Sequence, residues 1–304
     1  MQTSSISYSG LITQENLDVL TSKWLLEDTP SFDIGGFVVG DVCGTSVVLC
    51  KSNGYLCGKP FVDAIFSKLN CNIVWNFDEG VELVPICQVA TVKGKVRDLL
   101  RAERVVLNVL ARASGVATTC KRLVHIKENR KWMGEVAGTR KTTPGFRQVE
   151  KYALLVGGCS THRYNLSSMV MLKDNHIWSV GNIAETVKKA RKACGFSSKI
   201  EVECRSVAEA LEGCAAGADI IMLDNFDSSV SEDAAKEIKS KYPNVTIEVS
   251  GGLYEENIGN YMTPNVDVLS ASCLTQGYKT VDFSMKLLVD DHNPENPVVK
   301  QLHE

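Results

Sequence analysis

The feature that most constrains the fold is a series of short apolar runs that alternate with helical stretches in the second half of the chain. Such runs are typical of parallel strands buried on both faces, and their alternation with helices indicates βαβ units. The pattern predicts an α/β barrel or an open doubly wound sheet, and we favour the barrel. The six runs lie near Glu135, Val170, Ile200, Ile220, Ile247 and Val268.

Polar residues follow each of these runs. They occupy positions 139–143, 173–176, 203–205, 224–225, 250–252 and 270–272. Because the carboxyl ends of parallel barrel strands meet at one mouth, where the active sites of such barrels lie, these residues are expected to converge. The sequence thus predicts a site at this mouth before any family is considered.

The first part of the chain predicts a smaller α+β region. Its segments rich in β-branched residues are typical of a half-exposed antiparallel sheet and lie at positions 46–50, 72–75 and 86–92. An amphipathic helical pattern over residues 95–114 carries Glu103 in the middle of its apolar face and Arg104 at its edge. Buried charges need partners, so the two form a local ion pair or extend their charged ends to solvent, or the arginine reaches an anion across an interface.

The composition excludes several classes of protein. A formal charge of −3 and a pI near 6.0 give no overall basic field of the kind that nucleic-acid-binding proteins use. No apolar run is long enough to cross a membrane, and the polar start of the chain lacks the core of a signal peptide. The 11 cysteines include no CxxC pair, so we expect reduced thiols rather than disulfides or a structural zinc site. We therefore predict a cytoplasmic location, which is compatible with a nuclear pool.

A cluster of cations stands at the predicted mouth of the barrel. Arginine binds carboxylates and phosphates through two hydrogen bonds, whereas lysine acts as a point charge. In a slightly acidic protein, such a cluster predicts a substrate with several negative charges. A lone histidine is usually structural, and for the histidine of this cluster both interpretations stay open. The members are Arg140, Lys141, His162, Arg163 and Lys173.

Two carboxylates, Glu203 and Asp224, stand at the ends of adjacent predicted strands. They are candidates to hold a Mg²⁺ ion at a pyrophosphate, or to stabilise positive charge on a ribose-like carbon. The alternative is that they only neutralise nearby lysines. Lys141 or Lys173 is in turn a candidate Schiff-base nucleophile, a common use of lysine at the end of a barrel strand.

A glycine-rich turn follows the fifth run at Ser250, Gly251 and Gly252, and we expect a helix to begin near Glu255. The backbone N–H groups of such a turn and the helix N-terminus would bind a phosphate. The alternative is a turn with no ligand, which is the commoner use of a glycine pair. His176, beyond the second run, is expected to cap or brace its loop.

Several segments are distinctive when they are taken together and in order. They are Glu103-Arg104 with Leu107-Asn108, GTRKTTPGFRQVEKYALLVGG, THRYNLSSMVMLKDNHI, IEVEC, IMLDN and EVSGG. From about residue 30 to residue 288 they resemble the quinolinate phosphoribosyltransferases, the decarboxylating type II phosphoribosyltransferases of NAD synthesis. The first long motif is very specific.

The resemblance implies an α/β fold with two domains. An N-terminal α+β sandwich-like domain would comprise residues 1–113, and an incomplete, seven-stranded α/β barrel with the active-site mouth would comprise residues 114–276. Residues 277–304 would return to the N-terminal domain. The family further implies a homodimer with active sites shared between subunits, and a hexamer is also compatible with it. Arg104 of one subunit would then reach a substrate carboxylate in the neighbouring site.

The resemblance also implies roles for single residues. Those similar to the family's quinolinate-binding residues are Arg140, His162 and Arg163, with Arg104 supplied by the partner subunit. Those similar to its catalytic residues are Lys141 and Lys173, which would contact both substrates, and Glu203 and Asp224, which would lie near the ribose and Mg²⁺. Those similar to its phosphate loops are Ser250, Gly251 and Gly252, with Ser270 and Ser272 in a second loop. Ser272 departs from the family, which has glycine there.

The implied reaction transfers a phosphoribosyl group from phosphoribosyl pyrophosphate to the nitrogen of quinolinate, with Mg²⁺ as cofactor. Carbon dioxide is lost, and nicotinate mononucleotide and pyrophosphate are formed. The nearest alternative is an enzyme of the same superfamily that ribosylates nicotinate, although three arginines exceed what one carboxylate needs. A Schiff-base aldolase and a non-catalytic binding protein on the same fold are alternatives from other classes.

Overall fold

The computed structural model describes residues 7–289, which contain nine α-helices and twelve strands. The helices are α1 (Gln14–Asp28), α2 (Ile34–Val39), α3 (Lys59–Lys68), α4 (Val96–Asn129), α5 (Arg147–Val156), α6 (Asp174–Val180), α7 (Ile183–Cys194), α8 (Val207–Ala215) and α9 (Ser228–Lys241). The strands are β1 (Cys43–Cys50), β2 (Gly54–Tyr55), β3 (Asn72–Trp75), β4 (Glu82–Leu83), β5 (Cys87–Lys95), β6 (Glu135–Ala137), β7 (Val170–Leu172), β8 (Ile200–Cys204), β9 (Ile220–Asp224), β10 (Thr246–Ser250), β11 (Val268–Ser270) and β12 (Phe283–Leu287).

The chain divides into two compact units. The first takes the chain up to Thr118, then Gln148–Gly157, and the chain from Tyr278 onwards, whereas the second takes Thr119–Arg147 and Gly158–Gly277. The division predicted from sequence, after residues 113 and 276, differs chiefly in α5. This helix joins the first unit because its buried residues bind there, through Glu150 to Arg112 and through Tyr152 to Glu79.

The first unit contains an antiparallel sheet with the strand order β12-β1-β5-β3. The central strand β1 places Val47 between Lys286 of β12 and Thr91 of β5. The pairing of β12 with β1 brings residues 283–287 into this sheet. The predicted C-terminal segment also includes residues that lie outside the described part of the chain.

Helix α4 is much longer than the pattern over residues 95–114 predicted. Beyond Ser114, the buried residues Val116, Cys120 and Leu123 continue the apolar face of the helix to its C-terminal half. Gly115 does not end the helix. A Cβ atom at Gly115 would lie 2.1 Å from the carbonyl oxygen of Lys279, so glycine is required there by close packing.

The second unit contains six parallel strands in the order β6-β11-β10-β9-β8-β7. The central strand β9 is almost completely buried and apolar, as expected when helices cover both faces of a parallel sheet. The register places Met222 of β9 opposite Glu203 of β8 and opposite Glu248 of β10. The predicted α/β fold, with its parallel sheet and N-terminal antiparallel sheet, is confirmed.

The seventh strand is reduced to one isolated bridge in the described residues. Ser160 pairs with Ala137 of β6 in parallel, with the Ser160 N–H donating to the Val136 carbonyl and the Gly138 N–H to the Ser160 carbonyl. The bridge lies at the edge of the sheet opposite to β7.

Among the described residues, no helix is both long and apolar enough to cross a membrane.

Candidate active site

A cavity of about 450 Å³ lies at the carboxyl ends of the six parallel strands. The predicted site residues lining it are Arg140, Lys141, His162, Arg163, Lys173, Glu203, Asp224, Ser250, Gly251, Gly252, Ser270 and Ser272. The remaining predicted residue, Arg104, lies exposed on α4 in the first unit. The structure thus brings together the residues predicted for the mouth of the barrel, whereas their individual roles remain predictions.

The strand register explains why these side chains converge. Lys173 directly follows β7, and Asp224, Ser250 and Ser270 are the last residues of β9, β10 and β11. In β8, the residue that lines the cavity is Glu203, one residue before the end of the strand. Side chains alternate between the two faces of a strand, so the neighbouring last residue faces the other side. Five neighbouring strands therefore deliver polar groups to one place.

The two arginines of the cavity, Arg140 and Arg163, lie close together in a partly buried setting. The Nε atom of Arg140 is buried and has no hydrogen-bond partner in the described part of the chain. Burial, followed by the nearby guanidinium of Arg140, lowers the pKa of Arg163. Buried donors are nearly always hydrogen-bonded in native proteins, so the arrangement is suited to an anionic ligand.

The carboxylates at the cavity have local partners. Lys173 donates through Nζ to Glu203 Oε2, and the Asn225 side-chain amide donates to Asp224 Oδ2 at 2.8 Å. An ammonium group that is ion-paired in this way is a poor Schiff-base nucleophile, which disfavours the aldolase alternative at Lys173. Lys141 is exposed, and its carbonyl accepts a hydrogen bond from Thr275 Oγ1 at 2.8 Å, which holds its loop.

The glycine turn has the backbone conformation that only glycine adopts without strain. Gly251 and Gly252 have φ angles of +95° and +63°, and a Cβ atom at Gly251 would lie 2.2 Å from Asn225 Oδ1. The hydroxyl of Ser270 donates to that of Ser250 at 2.9 Å and fixes the base of the turn. The backbone N–H groups are therefore accessible to a ligand without an intervening side chain.

The prediction of a helix that begins near Glu255 is wrong. The chain forms a turn there, followed by a 3-10 helix at Ile258–Tyr261. Asn257 explains the difference, since its side chain accepts from Tyr254 N–H and donates to the Gly252 carbonyl, both at 2.8 Å. Such side-chain bonds to the backbone compete with helix formation, so among the described residues this turn does not lead into a helix N-terminus.

His162 is held in an unusual conformation. Its φ angle is +55°, in the left-handed region that non-glycine residues seldom adopt. Its Nε2 atom lies 3.0 Å from Glu248 Oε2 and 3.6 Å from Glu201 Oε2. By contrast His176 has a local role, because its Nδ1 atom accepts a hydrogen bond from Lys173 N at 3.0 Å and caps α6.

The two glutamates below His162 were missed by sequence reasoning. Glu201 and Glu248 are 0 % and 2 % exposed, although both belong to strands that read as apolar. Burial, followed by the charge of Glu248, raises the pKa of Glu201 from 4.5 to about 9. The signal available in the sequence was the period of two in IEVEC, which places Glu201 on the same face as Glu203.

Two family models match almost the whole chain. The N-terminal domain of quinolinate phosphoribosyl transferase matches residues 22–114, and the C-terminal domain matches residues 116–286. The carboxylating nicotinate-nucleotide pyrophosphorylase of Rattus norvegicus is 46 % identical over 93 % of this chain and 95 % of its own length. Its Homo sapiens counterpart is 44 % identical over 93 % of this chain and 96 % of its own length.

A solved structure agrees with the sequence comparisons. The nicotinate-nucleotide pyrophosphorylase from Francisella tularensis superposes with a TM-score of 0.85 and 30 % identity, over 93 % of this chain and 100 % of its own. The match includes both the antiparallel sheet and the parallel sheet that carries the cavity. The chain therefore belongs to the quinolinate phosphoribosyltransferase family.

Proposed function

We propose that the protein is the quinolinate phosphoribosyltransferase of de novo NAD biosynthesis. The enzyme transfers the phosphoribosyl group of phosphoribosyl pyrophosphate to quinolinate with loss of carbon dioxide. The observation that carries this proposal is the cavity at the strand ends, which collects four cationic side chains. One of them is Arg140, whose buried Nε atom has no hydrogen-bond partner in the described residues. Both substrates of the reaction are polyanions, and the family membership of the chain supports the same assignment.

Recognition of quinolinate requires two carboxylates to be bound on one ring. The guanidinium groups of Arg140 and Arg163 are close enough for their charges to influence each other. Two adjacent forks of this kind suit a rigid dicarboxylate, because each guanidinium binds one carboxylate with two hydrogen bonds. Lys141 and Lys173 then supply positive charge for the phosphates.

In the transfer step, the pyridine nitrogen forms a bond to the anomeric carbon as the bond from that carbon to pyrophosphate breaks. The electron pair leaves with pyrophosphate, whose charge the lysines stabilise. Positive charge develops on the ribose, where the carboxylates of Glu203 and Asp224 stabilise it. Preorganised charges of this kind act without reorganisation during the reaction.

The second step removes one carboxylate. Once ribosylated, the ring nitrogen is cationic, so the electron pair of the breaking carbon–carbon bond can remain on the ring carbon as carbon dioxide leaves. A proton then adds to this carbon and gives nicotinate mononucleotide. The guanidinium groups hold the remaining carboxylate, which keeps the ring in place throughout.

The residues present fit a Mg²⁺ ion. Mg²⁺ is usually held by one or two carboxylates together with substrate phosphates, and Glu203 and Asp224 offer such oxygens beside the glycine turn. When bound, Mg²⁺ supplies neutralising charge for the pyrophosphate leaving group. Activity is expected to disappear with excess EDTA and to return with Mg²⁺, and full activity in EDTA would contradict this proposal.

We also propose a homodimer in which Arg104 of each subunit completes the site of the other; a hexamer built from such dimers would preserve this arrangement. The exposed position of Arg104 on α4 supports this, because the side chain is accessible to a partner. In an equal mixture of Arg104→Ala and Lys173→Ala proteins, half of the exchanged dimers are hybrids with one intact site. We therefore expect roughly a quarter of wild-type activity to return. No recovery after proven subunit exchange would contradict shared sites.

For the cell, we propose a cytoplasmic enzyme, with the same enzyme also functional in a nuclear pool. The 11 free cysteines, several of them buried, support a reducing compartment. Imaging of the tagged protein, with fractionation of untagged protein as a control, tests this location. Retention in an oxidising compartment would contradict it.

The choice of substrate tests the function most sharply against its nearest alternative. With phosphoribosyl pyrophosphate and Mg²⁺ present, we expect pyrophosphate release with quinolinate and a value of kcat/KM lower by about 100-fold or more with nicotinate. The reason is that nicotinate leaves one guanidinium without its carboxylate. Equal turnover of both acids would favour the nicotinate enzyme instead.

A further inference from the structure

A buried group of three side chains lies one layer below the candidate active site. Glu201 is two residues before Glu203, and Glu248 is two residues before Ser250, so both glutamates share the face that lines the cavity. His162 reaches them from its loop, and one ligand atom from each of the three lies within 4.8 Å of the others. None of these buried contacts is explained by the transfer chemistry.

Two hydrogen bonds of opposite sense fix the ring of His162. The backbone N–H of Arg163 donates to Nδ1 at 2.7 Å, so Nδ1 carries no proton. The ring proton is therefore on Nε2, which lies 3.0 and 3.2 Å from the two oxygens of Glu248. Glu248 accepts this hydrogen bond and thereby selects both the tautomer and the orientation of the ring.

Glu201 offers a comparison within the same cluster. It is as deeply buried as Glu248, but neither of its carboxylate oxygens has a hydrogen-bond partner in the described residues. Its closest oxygen lies 3.6 Å from His162 Nε2, beyond hydrogen-bonding distance. Of the two glutamates, Glu248 is therefore the one whose contact orients the ring.

The position of His162 between two cavities gives this orientation a consequence. A second cavity, of about 790 Å³, lies at the amino ends of the same strands, and Glu248 is among the residues that line it. Among the described residues, His162 and Arg163 are the two that line both cavities. The pair therefore forms a partition between the candidate active site and the second cavity.

We propose that Glu248 is a positioning residue that, through His162, holds the Arg163 guanidinium in place for one carboxylate of quinolinate. The left-handed backbone of His162 is unfavourable for a residue other than glycine, so its conformation needs outside support. The Nε2–H bond to Glu248 supplies that support, and the Arg163 N–H bond to Nδ1 transmits it to the next residue. This inference rests on the proposed function.

The test compares two changes at Glu248, of which one keeps a hydrogen-bond acceptor and the other removes it. Glu248→Gln keeps an oxygen that accepts from Nε2–H, whereas Glu248→Met keeps the length and removes the acceptor. Glu248→Met is expected to raise KM for quinolinate by about 10- to 100-fold, as for the loss of a hydrogen bond to a charged group. KM for phosphoribosyl pyrophosphate and kcat are expected to change by less than about threefold, and Glu248→Gln should stay near wild type.

Glu201→Met is the matched control, because it makes the same change in an equally buried neighbour that does not hydrogen-bond the ring. Its KM for quinolinate is expected to stay within about threefold of wild type. An equal rise for Glu201→Met and Glu248→Met would overturn the proposal, since general disturbance of the buried layer would then explain both. A Glu248→Gln variant as impaired as Glu248→Met would overturn it as well.

A measurement on the wild-type protein covers the case in which Glu248→Met does not fold. With ¹⁵N-labelled histidine, and with the signal of His162 identified by its loss in His162→Gln, the ring nitrogens are expected to show a proton on Nε2 and none on Nδ1. An imidazolium or the opposite tautomer would contradict the proposal. This result does not depend on turnover, so it separates failure of the positioning role from failure of the proposed function.

The same protein also tests whether the three ligand atoms hold a metal instead. When ZnCl₂ is added alone, we expect no stoichiometric zinc binding at these three side chains. Zinc binding at this place would be recognised by its loss in both Glu201→Met and Glu248→Met. Binding of that kind would overturn the proposal, because a coordinated Nε2 atom cannot donate a hydrogen bond to Glu248.

Discussion

Each of the two units contains an arginine whose Nε atom is buried, and the two Nε atoms are satisfied differently. In the first unit, Arg112 donates to Glu150 Oε1 from Nε at 2.9 Å and from Nη2 at 2.8 Å, with both side chains at most 3 % exposed. In the second unit, the Arg140 Nε atom has no hydrogen-bond partner in the described residues. Arg112 is satisfied by the protein itself, whereas Arg140 is available to a ligand in the cavity.

Structural and functional buried charge differ in whether the protein itself satisfies the charged group. A satisfied ion pair fixes the packing of its elements, here α4 with α5 within one unit. An unsatisfied donor in a cavity is costly unless something binds it, so its retention indicates a ligand. Changes at Arg112 should therefore affect stability, and changes at Arg140 should affect catalysis.

The largest expected effect is on the stability of the first unit. Arg112→Leu leaves Glu150 buried without its cation and is expected to lower the free energy of unfolding by about 3–5 kcal/mol. Urea denaturation measures this change. The double variant Arg112→Leu/Glu150→Leu is expected to recover most of the loss, and no recovery would contradict the interpretation as a paired structural charge.

An effect of similar size is expected on catalysis in the second unit. Arg140→Ala is expected to lower kcat/KM for quinolinate by about 10²–10³-fold while leaving the urea midpoint nearly unchanged. Steady-state kinetics measure the first and denaturation the second. Arg140→Lys, as the matched control, keeps the charge without the fork and should recover only part of the activity. A large loss of stability would place Arg140 with the structural group.

The glycine turn provides a smaller effect with an internal control. Gly251→Ala and Gly252→Ala both force alanine into a left-handed conformation, but only the first also meets a side chain, at 2.2 Å. We expect Gly251→Ala to raise KM for phosphoribosyl pyrophosphate by about 10-fold or more and Gly252→Ala by less. Equal effects in steady-state kinetics would show that contact with Asn225 does not matter.

The pH dependence of stability tests the buried carboxyl. The pKa of Glu201 is about 9 in the folded protein against 4.5 ordinarily, so the folded state alone holds this proton between those values. Stability from this group is therefore lost as the pH rises through that window. In EDTA, wild-type protein should lose more unfolding free energy between about pH 5 and pH 9 than Glu201→Gln does. Parallel curves would contradict the buried, protonated carboxyl.

The smallest effect is expected at Ser272, which lines the cavity and begins a 3-10 helix at Ser272–Leu274. Ser272→Gly introduces the glycine that the resemblance predicts at this position, and its KM for phosphoribosyl pyrophosphate is expected to change by less than about threefold. A larger decrease would show that the serine side chain obstructs the phosphate. A larger increase would show that its hydroxyl binds it.

Much of the fold could be predicted because its signals are local. The continuous apolar run of β9 and the polar residues at its end follow directly from burial of a parallel strand on both faces. The length of α4 could not be predicted, because Gly115 reads as a helix end until its packing against Lys279 is known. The helix predicted after Gly252 does not form for a similar reason, since the side-chain hydrogen bonds of Asn257 stabilise a turn there instead.

The site was predictable at its rim but not at its base. Charged residues that follow apolar runs can be recognised in the sequence, as Lys173 and Asp224 can. Glu201 and Glu248 lie inside such runs, and their significance depends on contacts with His162 from a distant loop. Only the three-dimensional arrangement shows that their side chains meet below the cavity.

The most direct test of the central claim measures pyrophosphate and carbon dioxide together. Purified protein is given phosphoribosyl pyrophosphate, Mg²⁺ and quinolinate labelled in the carboxylate next to the ring nitrogen. We expect one carbon dioxide for each pyrophosphate released, with nicotinate mononucleotide as the other product. Pyrophosphate without carbon dioxide, or neither product, would contradict a decarboxylating phosphoribosyltransferase.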